Sequence, residues 1–410
     1  MNDRTMENIK KEKKHSLPKG WEIKMLSEIA EVGAGNSAPQ KKELFINGRH
    51  PFIRTSDVGQ IRKGFINSSV DNLNDEGIKK LKIKKKGTIL FPKSGASTFL
   101  NHRVMMEIDG YVSSHLATIK AKDSVALDRY LLYFLITIDA KDLMQDIAYP
   151  SLKISDISAI EIPVPPLPEQ QRIVAILDET FSAIDKAKAN AEQNLKNAKE
   201  LFESYLQGVF EKKGNGWEEK KLGEVCKTGA GGTPLKTHKE YYEGGTIPWL
   251  LSGEVSQGEI FQAKNFITEK GLKNSSAKLF PPNTVLVAMY GATAGQVGIL
   301  RFESTTNQAV CGILPNENFI AEFLYYKFLA GKELLVSQAV GGAQPNISQI
   351  KIKNTLVPII SIKEQQTIVR QLDALRIETQ KLESIYQKKI LLLEELKKSI
   401  LQKAFSGELN

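Results

Sequence analysis

Side chains that could do chemistry are plentiful in this sequence, but few of them stand at the spacing a reaction needs. Two glycine triplets, Gly33-Ala34-Gly35 and Gly229-Ala230-Gly231, could suggest a phosphate-binding loop. Neither continues into the Gly-x-x-Gly helix start that seats a dinucleotide, and prolines follow, so turns are expected. No Gly-x-x-x-x-Gly-Lys-Ser/Thr stretch occurs, which leaves no P-loop to wrap phosphate oxygens in backbone N–H groups. The five histidines, His15, His50, His102, His115 and His238, lack metal-ligand spacing. Cys226 and Cys311 are the only cysteines, too few and too far apart for a disulfide framework or a zinc site. They fit a reducing compartment, and a cytoplasmic location is expected. Carboxylates abound without a pair singled out by context. The expectation is a chain with no catalytic, cofactor-binding or metal-binding residues.

The elements that carry these side chains repeat. Gly20 opens GWEIKMLSEIAEVGAG, and Gly216 opens GWEEKKLGEVCKTGAG. PFIRTSDVG from Pro51 matches PWLLSGEVS from Pro248, and GTILFPKSGAS from Gly87 matches NTVLVAMYGAT from Asn283. SSHLATI from Ser113 matches TNQAVCG from Thr306, and SLKISDI from Ser151 matches QPNISQI from Gln344. Order is kept throughout, so the chain is an internal duplication and its halves should share one fold. Each copy begins with short apolar alternations and turns, read as strands with a few helices, notably LDRYLLYFLIT from Leu127 and AEFLYYKFLAGKELL from Ala321. Each ends in a long helix without internal proline. A chain of 410 residues suits several structural units, and no apolar run is long enough to cross a bilayer. The N-terminus lacks the apolar stretch of a signal peptide. A net charge of +9 and a pI near 9.1 favour a polyanionic partner, most often nucleic acid, over a protein that is merely basic.

The junction into the long helix is written differently in the two copies. In PPLPEQQRIVAILD, Pro168 suits a helix's opening turn, where its missing N–H goes unneeded. In IISIKEQQTIVRQLD, Ser361 and Glu364 form a capping box. Both put a carboxylate, Glu169 or Glu364, against the positive end of the helix dipole. Apolar positions then recur by sevens: Ile184, Ala191, Ala198 and Tyr205, and likewise Thr379, Tyr386, Leu393 and Ile400. Phe181, Leu195, Phe202 and Val209 widen the first stripe, and Leu375, Leu382 and Leu396 the second, while Lys188 and Lys389 interrupt them. That pattern makes a two-helix seam. The helices are expected to pair antiparallel; packing onto their own domains or pairing between chains are the alternatives.

These features, the two Gly-Trp starts, the Ile160 run IEIPVPPLPEQQRI and the Ile400 ending ILQKAFSGEL, resemble the specificity subunit of type I restriction–modification enzymes. Tyr205 opens a similar ending, YLQGVFE, on the first helix. VPIISIKEQQ departs from the pattern with one proline where the first copy has several. The resemblance implies an α+β chain in which two similar mixed α/β target-recognition domains are separated by two long antiparallel helices. These form a coiled-coil spacer, giving a pseudo-two-fold symmetric dumbbell. The expected division is a basic tail over 1–16, a recognition domain over 17–168 and a spacer helix over 169–212. A second domain over 213–363 and a second helix with tail over 364–410 follow. The resemblance also implies double-stranded DNA as partner, with each domain reading half of a bipartite, asymmetric site. Methyltransferase subunits, two per chain, and restriction/translocase subunits would join it. S-adenosylmethionine, ATP and Mg would belong to those partners. An amino-methyltransferase holds its target amine with Asn/Asp-Pro-Pro-Tyr/Phe, and the nearest approach here, FPPN at Phe280, has the wrong order. That disfavours a stand-alone enzyme; a protein-binding scaffold is the other alternative.

Base edges are read by Arg, Lys, Asn, Gln, Ser and Thr on rigid loops. In the first half these are Arg54, Thr55 and Ser56; Lys93, Ser94, Ser97, Asn101, His102 and Arg103; and Tyr149, Ser151 and Lys153. Matching second-half positions are Ser252, Tyr290, Thr293, Gln308, Gln344 and Asn346, with Asn307 beside Gln308. The two sets differ, as two different half-sites require, although polar surface loops in general look similar. Two domains on one rigid spacer should meet the duplex about one turn, roughly 34 Å, apart.

Overall fold

A computed structural model describes residues 17–144, 150–212, 217–338 and 346–409. The chain divides into two units. Unit 1 holds residues up to Ala191 together with Lys388–Asn410, and unit 2 holds Glu192–Gln387. Two 45-residue helices pass through both, each about 67 Å long at 1.5 Å per residue.

Among the described residues, unit 1 carries ten strands: β1 (Glu22–Met25), β2 (Ala30–Ala34), β3 (His50–Ile53), β4 (Lys63–Ile66), β5 (Asp71–Leu73), β6 (Ile89–Pro92), β7 (Arg103–Met106), β8 (Tyr111–Val112), β9 (Leu116–Ala121) and β10 (Glu161–Val164). Five of them form a sheet in the order β2-β9-β6-β7-β4, three form a second sheet, β5-β3-β8, and β1 pairs with β10. Its helices include α1 (Thr55–Ile61), α2 (Asp128–Thr137), α3 (Ile154–Ser158) and the long α4 (Leu167–Glu211). The five-stranded sheet is buried on both faces, and strand alternation sorts its residues between two cores. Ile89 and Phe91 of β6 face a core with Tyr130, Leu131, Ile173, Leu177 and Phe181. Leu90 between them faces Ile53, Val58, Val104 and Val112.

Unit 2 repeats the plan with β11 (Glu218–Lys221), β12 (Thr228–Ala230), β13 (Ile247–Leu250), β14 (Glu259–Ile260), β15 (Asn265–Ile267), β16 (Val285–Ala288), β17 (Val297–Leu300), β18 (Thr305–Thr306), β19 (Val310–Ile313) and β20 (Leu356–Ile359). The orders β12-β19-β16-β17-β14 and β15-β13-β18, and the pair β11–β20, are those of unit 1. Its helices include α5 (Ala321–Ala330), α6 (Gln349–Asn354) and the long α7 (Ile362–Ser406). Val285 and Val287 face the helices, and Leu286 and Ala288 face the smaller sheet. The glycine triplets are strand ends where turns were expected. Gly33 and Ala34 close β2, and Gly229 and Ala230 close β12. A Cβ on Gly35 would run into the Val112–Ser113 backbone, and one on Gly231 into Thr306.

Both long helices do two jobs, so pairing and packing onto a domain are not exclusive. In unit 1, Lys188 of α4 pairs with Glu394 of α7 at 2.6 Å, and Asp185 with Lys397 at 2.9 Å, an antiparallel progression. The end of α7 then enters the first domain, where Phe405 meets Tyr130 and Phe134 edge to face at 5.3 and 5.1 Å. In unit 2 the end of α4 does the same, with Leu206 and Phe210 in the core and Phe210 5.5 Å from Phe323. The heptads slip once. Ile184, Ala191 and Ala198 are buried, but Tyr205 is 42% exposed and Leu206 takes the next inward place. In α7, Leu372 and Thr379 are buried and Leu401 is the later inward residue, while Leu382 and Leu396 are exposed. A straight helix drifts about 20° per heptad, and one eight-residue step turns the stripe back inward.

Candidate nucleic-acid interface

Register places the candidate loops of each unit at one end of its sheets. In unit 1, β3 and β8 are parallel, so Arg54 and Ser113 leave the same end, with Ser113 donating to Ile53 at 2.9 Å. Pro92 of β6 pairs with Leu116 of β9, which brings Lys93 beside His115; its N–H donates to the His115 carbonyl at 3.0 Å. Segment 150–152 closes the group: Ser94 bridges Ser151, Gly95 donates to Pro150, and Leu152 donates to Lys93, the last two at 2.8 Å. Unit 2 repeats four of these five ties among the described residues. Asn307 donates to Leu250 at 2.9 Å, Met289 to Ala309 at 2.8 Å and Ile347 to Met289 at 2.8 Å, and Tyr290 bridges Asn346.

Buried carboxylates fix the loops after β3 and β13. Asp57 accepts the Arg54 N–H at 2.7 Å and the Val70 N–H at 3.1 Å; Glu254 accepts those of Leu251 at 3.0 Å and Lys264 at 3.1 Å. Both are almost fully buried, so they set loop shape and leave Thr55, Ser56 and Ser252 to face outward in part. The sequence reading singled out neither acid. Their matched places in TSD and SGE were the available signal.

The candidates differ in availability. Ser56, Ser151, Lys153, Tyr290, Gln308 and Asn346 are exposed, and Thr55, Lys93, Ser94, Ser97, His102, Ser252, Thr293 and Asn307 are half-buried. Arg54 is spoken for: it pairs with Asp71 and lies 5.1 Å over the Phe52 ring. Asn101 is a structural residue in left-handed backbone, donating to Asp139 at 2.9 Å and accepting from Ala140 at 2.8 Å. Arg103 is corrected outright. It is fully buried, stacked 3.2 Å from the Phe91 centroid and donating to the His102 carbonyl at 2.8 Å. Burial lowers its pKa to about 9, with Asp139 opposing. As the first residue of β7 it points inward, so it cannot reach a duplex. Tyr149 and Gln344 lie outside the described residues. Ser97 bonds back to Ser94 at 3.1 Å, Thr293 to Tyr290 at 3.2 Å, and Thr233 donates to Gln308. Asn307 Oδ1 is buried without a partner among the described residues.

The junction glutamines Gln170 and Gln365 also escaped the sequence reading. Gln170 donates to the carbonyls of Val125 and Pro165, both at 2.9 Å, and accepts from Leu127 at 3.0 Å. Gln365 donates to Asn318 at 2.7 Å and Ile360 at 3.1 Å, and accepts from Ile320 at 3.0 Å. Each locks its long helix to the loop before α2 or α5. The capping box is half made. Ser361 Oγ accepts the Glu364 N–H at 3.2 Å, but the Glu364 carboxylate takes the Trp217 indole at 2.9 Å. Glu169 binds Arg172, whose guanidinium holds its pKa below the usual carboxylate range.

Among the described residues no group of His, Cys, Asp or Glu is placed to hold a metal ion, and no helix is long and apolar enough to cross a membrane. Both cysteines are buried thiols, and burial pushes Cys311 up to about 12.

Comparison with known proteins agrees over nearly the whole length. The model for the type I restriction modification DNA specificity domain matches residues 18–196 and 214–391. A type I restriction enzyme specificity subunit of Methanocaldococcus jannaschii, MjaIX, is 26% identical over 96% of this chain and 94% of its own length. The EcoR124I/EcoR124II specificity subunit of Escherichia coli is 28% identical over 61% of this chain, a match spanning 64% of that relative. In fold, the chain resembles the HsdS subunit from Thermoanaerobacter tengcongensis, with TM-score 0.64 and 21% identity over 97% of this chain and 100% of the other. A chain from a structure concerned with assembly and conformational transition of the type I R-M system gives TM-score 0.79 at 20% identity, covering 96% and 100%.

Proposed function

The chain belongs to the type I restriction modification DNA specificity family, and from that premise we propose that it is the DNA-reading subunit of such a complex without chemistry of its own. Each mixed domain reads one half of a bipartite, asymmetric site. The long helices set the gap and dock adenine methyltransferase subunits, two per chain, and restriction/translocase subunits join them. S-adenosylmethionine, ATP and Mg serve those partners.

One observation carries the reading. The two domains keep the same buried ties behind the loops and change the side chains in front of them. Lys93-Ser94 becomes Met289-Tyr290, Ser151 becomes Asn346, and Thr55-Ser56 gives way to Ser252-Gly253, while Asp57 and Glu254 keep one role. A fixed frame with variable tips suits reading two different base sequences through one geometry. Surface charge agrees: the basic balance supplies phosphate contacts that position without specifying.

The test is to co-express the chain with its methyltransferase and sequence the modified adenines of the host genome. A split asymmetric motif is expected; a continuous palindrome, or no motif, overturns the reading. Lengthening both long helices together should change the gap between half-sites and leave the half-sites alone.

A further inference from the structure

Each unit has a cleft where a long helix passes its mixed domain a few turns in from its start, about 590 Å³ in unit 1 and 500 Å³ in unit 2. Their linings correspond: Lys63, Gly64 and Phe65 in the first stand where Gln257, Gly258 and Glu259 stand in the second. Their charges are opposed. The first cleft sets five cationic side chains against three carboxylates, the second two arginines against three. In unit 2 Arg301 is held by Glu259 and Glu322, and Arg376 donates to Tyr325 at 3.0 Å. In unit 1 the three carboxylates are already taken: Asp178 by Arg129, Asp185 by Lys397 and Glu394 by Lys188. Lys63 and Lys398 make no ion pair among the described residues; Lys398 is exposed, and Lys63 reaches solvent while its ammonium is partly shielded in the cleft.

This surplus charge adjoins the candidate reading loops. Lys63 is the β4 partner of Arg103, the residue at which the loop bearing Lys93, Ser94 and Ser97 re-enters the sheet. Exposed Arg62 precedes it, and its carbonyl accepts the Arg103 N–H at 2.9 Å. Lys63 is held below the ordinary lysine range by burial first, then by Lys398, Arg103 and Lys397. His102 is lowered too, by burial and then by Arg62, Arg103 and Lys63. Lys63 and Lys398 crowd each other with no ion-pair partner among the described residues, Glu394 opposing only in part, and such crowded charge gains from an arriving polyanion.

We propose that Arg62, Lys63 and Lys398 form a phosphate-backbone clamp beside the half-site read by the first domain, and that the second domain has no such clamp. The proposal rests on the DNA-specificity reading. An acidic protein partner would satisfy the same charge, but the cluster joins the loop that faces DNA in that reading, which favours the duplex. The clamp strengthens binding without selecting bases, since phosphates carry no sequence.

The experiment uses the chain assembled with its methyltransferase subunits and titrated onto a cognate and an unrelated duplex between about 50 and 200 mM salt. Lys63→Gln/Lys398→Gln, with glutamine as at the matching unit 2 position 257, should flatten the plot of log affinity against log salt by about 1.8, near 0.9 per lost phosphate contact. Both duplexes should weaken alike, and the methylated motif should stay the same. Lys398→Gln alone, on an exposed helix face, should give about half the change. An unchanged slope with the complex intact overturns the clamp. Loss of methyltransferase subunits on gel filtration, with no change in slope for the complex that remains, assigns the cleft to a protein partner and also overturns it. If the unsubstituted complex shows no preference for its cognate duplex, the failure belongs to the underlying reading instead.

Discussion

In unit 1 the hydroxyl of Tyr133 donates to Asp178, and in unit 2 that of Tyr326 donates to Asp373, yet different charges surround these twins. Burial first, and then the carboxylate, pushes both phenols up, so each pair keeps its proton on the tyrosine. Around the first pair the cation is Arg129 on α2, bonded to Asp178 on α4. At the matching place α5 carries Glu322, and its partner Arg301 is the residue that follows β17. The duplication has therefore kept the bond that seats the helix and rewritten the ion pairs around it. A part-buried phenol-to-carboxylate hydrogen bond depends on its own geometry, whereas an ion pair can be rebuilt from another element if the local charges still balance. That difference suggests where the two units should respond alike to substitution and where they should part.

The largest effect should fall on what they share. Gln170→Leu and Gln365→Leu each remove an amide that satisfies two carbonyls and one N–H inside a unit, at a cost of about 3 kcal/mol. Urea unfolding followed at Trp21 reports unit 1, and Trp217 with Trp249 reports unit 2. Equal losses are expected, each in its own unit. A loss confined to one glutamine would show that the two junctions are not equivalent devices.

These glutamines also mark what the sequence could not disclose. The duplication, the two long helices and their antiparallel pairing were legible because they rest on order and on local periods. Gln170 lies beside Glu169 in the same motif, but its partners include backbone groups at Val125 and Leu127, far off in sequence and invisible to any local pattern. Asp57 and Glu254 are a similar case, since a carboxylate that binds backbone N–H groups looks in sequence like any surface acid. Arg103 misled for the opposite reason. It follows a polar, glycine-bearing loop, but strand geometry turns it onto Phe91. Tyr205 kept perfect heptad spacing and still lost its inward place to Leu206, because spacing by sevens holds only while a helix stays supercoiled.

A smaller effect should separate the units at the rewritten ion pairs. Arg301 is only 18% exposed at its side chain and serves Glu259, Glu322 and, at 2.6 Å, Asn283. Arg129 is 43% exposed and serves Asp178 at 3.0 Å while lying 4.7 Å over Phe65. Arg301→Met should cost about 1 kcal/mol, because it unpairs half-buried Glu322 together with the more exposed Glu259. Arg129→Met should cost roughly 0.5 kcal/mol, as solvent screens the pair and methionine keeps contact with the ring. The same unfolding readout checks both. Equal costs would mean that the charge rearrangement between the units has no energetic consequence.

A difference no larger concerns how each long helix starts. Ser361 caps α7 by accepting the Glu364 N–H, and Ser361→Ala should cost about 1 kcal/mol. Helix α4 has no hydroxyl at this place; Pro166 precedes it, and its carbonyl accepts the Glu169 N–H at 2.9 Å. Its stiffness comes from Pro168, whose ring fixes a helical φ in the folded and unfolded chain alike. Pro168→Ala should therefore cost only about 0.5 kcal/mol, acting through the greater freedom of the unfolded state. The two substitutions also differ in kind. Losing the cap frees an N–H at the start of α7, so amide exchange there should quicken. Losing the proline breaks no bond, so exchange at the start of α4 should hold nearly steady while overall stability slips. Equal quickening at both starts would show that the prolines of the first junction order the helix end directly, as the serine does in the second.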